Sequence, residues 1–219
     1  MLSTGRLGRV HFRLEKQVVH IQSHGQQVLV QPVLQCPCLL DDSQFNPVCL
    51  SCHGTGRYYP PGAQYSTMLL LAHEDSHRTF NDPGTWVSGS IQATVLPGLR
   101  LSERDKVTVL DIRDTFNDEV LTRGLDETTR FEQGVRVVRV TDLTRTYTPG
   151  QDYVLTPPNL IEWLPGGQAP AFGDQYSIKY SAFPLYLVVN DSPRLRVEHR
   201  TPQAQVVIML RLDKLSEDF

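Results

Sequence analysis

Through much of the chain, apolar and polar residues alternate with a period of two. Val107 to Ile112 (VTVLDI) and Val135 to Val140 (VRVVRV) are clear examples, and each predicts a strand. Between Arg145 and Val189 the pattern is strongest. Tyr153 and Leu155, then Ile161 and Trp163, then Tyr176, Ile178 and Tyr180 fall on one face of consecutive strands. Turns are predicted at Pro149-Gly150, Gly166-Gly167 and Gly173-Asp174, so these strands read as an antiparallel meander. Two further strands are expected around Leu195 to Val197 and Val206 to Leu212. Helical spacing is scarce. It predicts one short helix over Asp126 to Gln133, stopped by Gly134, while the apolar run Met68 to Ala72 offers a second start.

The expected fold class is therefore mainly β, an antiparallel barrel or sandwich with a zinc-stabilised, loop-rich insertion and little helix. Strand spacing becomes regular after Pro97-Gly98. That places an N-terminal β and zinc-binding region at 1–97 and an antiparallel β domain at 98–219. Ala72 to Thr85, polar and broken by Pro83-Gly84, reads as an exposed loop.

Composition narrows the function. The 219 residues carry 21 basic and 24 acidic side chains, a formal net charge of −3. Broad contact with nucleic acid needs an excess of clustered cations, so the balance argues against it. Arginine supplies most of the positive charge, and its planar fork suits protein interfaces. No apolar run approaches the roughly 20 residues of a membrane-spanning helix, and the first residues show no secretory pattern. The expectation is a chain folding in a reducing cytoplasm, where clustered cysteines serve as metal ligands.

All four cysteines lie in CPCLLDDSQFNPVCLSC, a C-x-C pair, ten residues and a C-x-x-C pair. Zinc takes four such thiolates tetrahedrally, at ~2.3 Å each. Pro37 stiffens the first pair, and Gly54 and Gly56 suit the tight turn after the second. Cys36, Cys38, Cys49 and Cys52 are thus the predicted ligands of one Zn2+. Four thiolates close the coordination sphere, so the ion is expected to be structural. His53 is read as an exposed neighbour.

A search for catalytic groups returns one pattern. His73, Glu74 and His77 spell H-E-x-x-H, in which two imidazoles on one helix face bind zinc and the glutamate acts as base. Asn81-Asp82-Pro83-Gly84 cuts such a helix short, and no third ligand stands out, so no catalytic residue is assigned. The aromatic positions Tyr58, Tyr59, Tyr153, Trp163, Tyr176 and Tyr180 read as sheet packing, because no basic groove accompanies them.

Two stretches carry a family resemblance. CPCLLDDSQFNPVCLSCHGTGRYY resembles the cysteine segment of neck proteins (head closure or head–tail connector type) of tailed bacteriophages. YTPGQDYVLTPPNLIEWLPGGQAPAFGDQYSIKYSAFPLYLVV resembles hairpins common in phage neck, tail and baseplate components, and VTVLDIRDTFNDEVLTRG is in keeping. The resemblance implies a non-enzymatic virion protein, assembled in the host cytoplasm, that forms a homo-oligomeric ring. One face would meet the portal or adaptor and the other the tail terminator, with DNA passing through the lumen without sequence-specific contact. A tail or baseplate accessory role is the neighbouring alternative.

Overall fold

The computed structural model describes residues 14–38, 46–60, 62–73, 90–190 and 205–211. Six strands close into an antiparallel barrel: β1 (Gln26–Gln31), β4 (Tyr65–His73), β5 (Ser90–Val95), β14 (Val206–Arg211), β13 (Leu185–Asn190) and β6 (Lys106–Val109). β6 pairs back onto β1, Val28 opposite Val109 and Val30 opposite Val107. Closure leaves no strand edge open on this sheet. Alternate residues point inward, and Val28, Val30, Leu69, Ala93, Val107, Val188 and Met209 form its core. The fold class read from the alternation is the one observed.

Two excursions leave the barrel. Between β1 and β4 the chain forms a small ribbon, β2 (Leu34–Gln35) against β3 (Arg57–Tyr58), which carries the cysteines. Between β6 and β13 it builds a second β unit. There β7 (Asp114–Thr122), β12 (Gln175–Ala182), β8 (Arg136–Thr141) and β9 (Thr146–Tyr147) form a four-stranded sheet, with a separate ribbon of β10 (Tyr153–Thr156) and β11 (Leu160–Trp163). Its core holds every position of the predicted apolar face: Tyr153, Ile161, Tyr176, Ile178 and Tyr180 are buried, and Leu155 and Trp163 pack against them. Trp163 lies edge-on to Tyr147, Tyr153 and Tyr176, with ring centroids 4.9, 5.9 and 5.2 Å apart. Such pairs add to the burial of their large apolar areas. Ile178 is fully buried at the centre. Ile178→Ala is expected to cost about 2–5 kcal/mol in calorimetric unfolding, the usual range for a cavity of that size.

Several local expectations are revised. The boundary at Pro97-Gly98 falls between β5 and β6, inside one closed barrel that draws three strands from either side. The meander is only partial: β10 and β11 pair, but β12 pairs with β7 and β8, and β13 returns to the barrel. Asp126 to Gln133 is not helical. Its backbone is taken by neighbours, with Ile161 N–H donating to Glu127 O (2.9 Å) and Thr129 N–H donating to Asn159 O (3.1 Å). Phe131 is meanwhile drawn into the core, so burial overrides a weak propensity.

Met68 to Ala72 is the middle of β4, bonded to β1 on one side and β5 on the other. Ala72 and His73 therefore belong to that strand, not to a loop or a zincin helix. Glu74 and His77, the rest of the loop and the expected strand at 195–197 lie outside the described residues. Among the described residues one helix is present, α1 (Leu14–His24), which the alternation did not predict. Ile21 is its buried anchor and Gly25 its stop, the Gly25 N–H donating to Ile21 O at 2.7 Å. A Cβ on Gly25 would stand 2.3 Å from that oxygen, so only glycine fits.

Candidate metal centre

Each pair of cysteines is delivered by a turn whose backbone bonds are satisfied locally. Cys36 follows β2, and its N–H donates to Gly56 O (2.8 Å), clamping the first pair to the end of the second. In the second turn Cys49 N–H donates to Asn46 O (3.1 Å), His53 N–H to Cys49 O (2.8 Å) and Thr55 N–H to Cys52 O (3.0 Å). The Thr55 hydroxyl adds a bond to Cys52 O at 2.6 Å. His53, Gly54 and Gly56 all take positive φ, and a Cβ on Gly54 would stand 3.1 Å from the Pro47 backbone. The two glycines are thus required by backbone shape. His53, the one non-glycine of the three, is exposed and is not part of the cysteine cluster.

The four sulfurs converge. Cys36 Sγ lies 3.7 Å from Cys49 Sγ and Cys38 Sγ 3.4 Å from Cys52 Sγ. All four lie within 4.8 Å of one another. A disulfide would hold two sulfurs about 2.05 Å apart, and all four cysteines are free. Tetrahedral ligands at ~2.3 Å from a common ion stand about 3.8 Å apart. The spread of sulfur distances brackets that value, so the residues fit a metal ion held by four thiolates. Cys36 and Cys52 are buried, while Cys38 and Cys49 are partly exposed.

The protein's own pulls on these thiols differ. Burial pushes Cys36 up, and burial reinforced by the Cys52 sulfur pushes Cys38 up to about 12. Backbone N–H groups of Cys52 and Ser51 pull Cys49 down to about 6. A bound cation overrides such a split, because a coordinating thiol loses its proton outright.

The ribbon is tied to the barrel at both legs. In the outgoing leg, Val33 N–H donates to Asp105 Oδ1 (2.9 Å), while Ser102 N–H donates to Asp105 Oδ2 (2.8 Å). On the returning leg the Tyr59 hydroxyl donates to Arg104 O (2.9 Å), and Lys106 Nζ sits 4.1 Å over the Tyr59 ring. The sequence reading found the cysteines and glycines but passed over Asn46, Thr55 and Asp105, and it took Tyr59 for sheet packing. Nothing in the sequence marks Asp105 as a buried carboxylate at the root of this segment.

No protein-family model matches this chain, and no curated protein matches it either. Among the described residues no helix is long and apolar enough to cross a membrane.

Proposed function

We propose that this chain is a structural subunit of the neck of a tailed bacteriophage, forming a ring with copies of itself between portal or adaptor and tail terminator. Its four cysteines hold one structural Zn2+. The observation that carries the assembly reading is the exposure of large apolar side chains at the tips of both excursions. Val48 and Leu50 flank Cys49 on the metal ribbon, at 80% and 90% exposure. Leu125 and Phe172 stand out on the second unit, where the Phe172 ring lies over Gly124. Apolar groups gathered at protruding tips suit contact with other chains. The resemblance in the cysteine segment and the hairpins supplies the neck setting. A four-thiolate site leaves no coordination position for a substrate, so the ion stiffens the ribbon and takes no part in a reaction.

Four sulfurs in a tetrahedron suit zinc and also iron, and elemental analysis separates them. One zinc per chain is expected. Purified protein is expected to form closed rings by native mass spectrometry and negative-stain microscopy, and to label the neck of the virion. A chain that stays monomeric at every concentration with its metal bound overturns the ring. Labelling of the tail tip instead of the neck favours the baseplate role.

A further inference from the structure

The turn joining β8 to β9 is built more firmly than a solvent loop requires. Asp142 Oδ1 accepts hydrogen bonds from the Thr144 N–H (2.7 Å), the Thr144 hydroxyl (2.7 Å) and the Arg145 N–H (2.8 Å). Its other oxygen accepts from the Tyr147 hydroxyl. Asp142 N–H donates to Arg145 O at 3.0 Å, and the Thr141 hydroxyl donates to the same oxygen at 2.7 Å. At the tip of this fixed turn stands Leu143, fully exposed. An apolar side chain on a fixed backbone is a partly preorganised anchor, since the backbone entropy of its turn has already been lost in folding.

Cations stand on the strand that leads into this turn and on its neighbour. Arg139 on β8 lies directly opposite Lys179 on β12. Like charges in that register destabilise a sheet, and among the described residues neither belongs to a salt bridge. A carboxylate from outside the chain would relieve the repulsion.

The same molecule carries a matching surface. A cleft of about 880 Å³ runs between β7 and the segment 126–132. Phe116 and Val120 give it apolar walls, and Glu119, Asp126 and Glu132 line it with carboxylates. Of its two arginines, Arg211 is paired with Asp114 at 2.8 Å, and Glu119 already accepts bonds from the Arg130 N–H and the Tyr180 hydroxyl, so Asp126 and Glu132 carry the charge the cleft offers a partner.

We infer that Leu143 docks in the β7 cleft of a neighbouring copy of this chain, with Arg139 and Lys179 meeting the cleft carboxylates. The inference rests on the ring reading and names one of its contacts. Knob and cleft are different patches on one chain, so the contact is heterologous and propagates from subunit to subunit until a ring closes.

Sedimentation velocity on purified full-length chain provides the test. Leu143→Asp, at a fully exposed position, is expected to weaken self-association about 30-fold or more, as loss of a hot-spot anchor does. Its melting curve and metal content should match the parent's. A cleft variant, Val120→Arg with Glu132→Lys, is expected to do the same. The mixture is decisive. One variant retains its cleft and the other its knob, so together they should form a 1:1 pair and nothing larger. Parent rings that ignore both variants, or folded variants that fail to pair on mixing, overturn this contact and leave the ring standing. A parent that never associates overturns both.

Discussion

Cys52→Ser is expected to abolish stoichiometric metal binding and to dissolve the ordered ribbon while the barrel stays folded. Metal binding at four-thiolate sites is coupled to folding, with apparent free energies of roughly 10–16 kcal/mol in small zinc modules. Beyond its ties to the barrel at the root the ribbon has little else to hold it: β2 and β3 are two residues each. Among the described residues, the buried hydrophobic ones within it are Cys36 and Cys52 alone. Removing one thiolate therefore opens the coordination sphere and leaves three sulfurs that repel one another when ionised. Hydrogen exchange reads the result. The N–H groups of Cys36, His53 and Thr55, each bonded within the cluster, should exchange at nearly unprotected rates. Val28, Val107 and Val188, in the barrel core, should keep their protection. A strong chelator added to the parent should reproduce the pattern and expose four thiols to a thiol reagent. Retention of one metal per chain by Cys52→Ser, with unchanged protection, would refute the site.

Asp105→Ala is expected to produce the converse, a loosened attachment with the metal still bound. Asp105 is only 3% exposed, and it accepts bonds from Val33 and Ser102 N–H groups at 2.9 and 2.8 Å. Truncation leaves two backbone donors unmatched near the barrel rim, at about 1–3 kcal/mol each. A loss of about 2–5 kcal/mol in global stability is therefore expected by denaturant titration. Metal content should stay at one per chain, because every cysteine and every backbone bond around the sulfurs is untouched. Asp105→Asn, which keeps one oxygen acceptor, should fall between alanine and parent. Loss of metal from Asp105→Ala would mean that cluster and barrel are a single cooperative unit.

These two substitutions separate what was legible in the sequence from what was not. The cysteine quartet was visible because metal chemistry restricts both ligand type and ligand spacing. Asp105 was invisible. A single aspartate in RLSERDK carries no sign that it will be buried or that Val33, far back in the chain, will bond to it. Gly54 and Gly56 stood out as turn residues, and their positive φ gives the reason. Leu143 did not stand out. Leucine in a polar stretch reads as core or as accident until its exposure and the bonds pinning its turn are known.

Alternation of side chains is a property of a few consecutive residues, so the sequence alone assigned the faces of Tyr153, Ile161, Tyr176, Ile178 and Tyr180 and with them the mainly β class. It also brought four thiols to within a short loop of one another. Partner choice between strands is a long-range matter. β1 closes on β6 and β5 on β14 because those pairings bury two sets of valines, leucines and isoleucines at once and leave no edge exposed. No local window contains that information. The same holds for Asp126 to Gln133, where hydrogen bonds to β11 and its approach decided against a helix. Helix α1 went unread in the sequence, because the docking of Ile21 and the close approach at Gly25 that only glycine allows are tertiary facts.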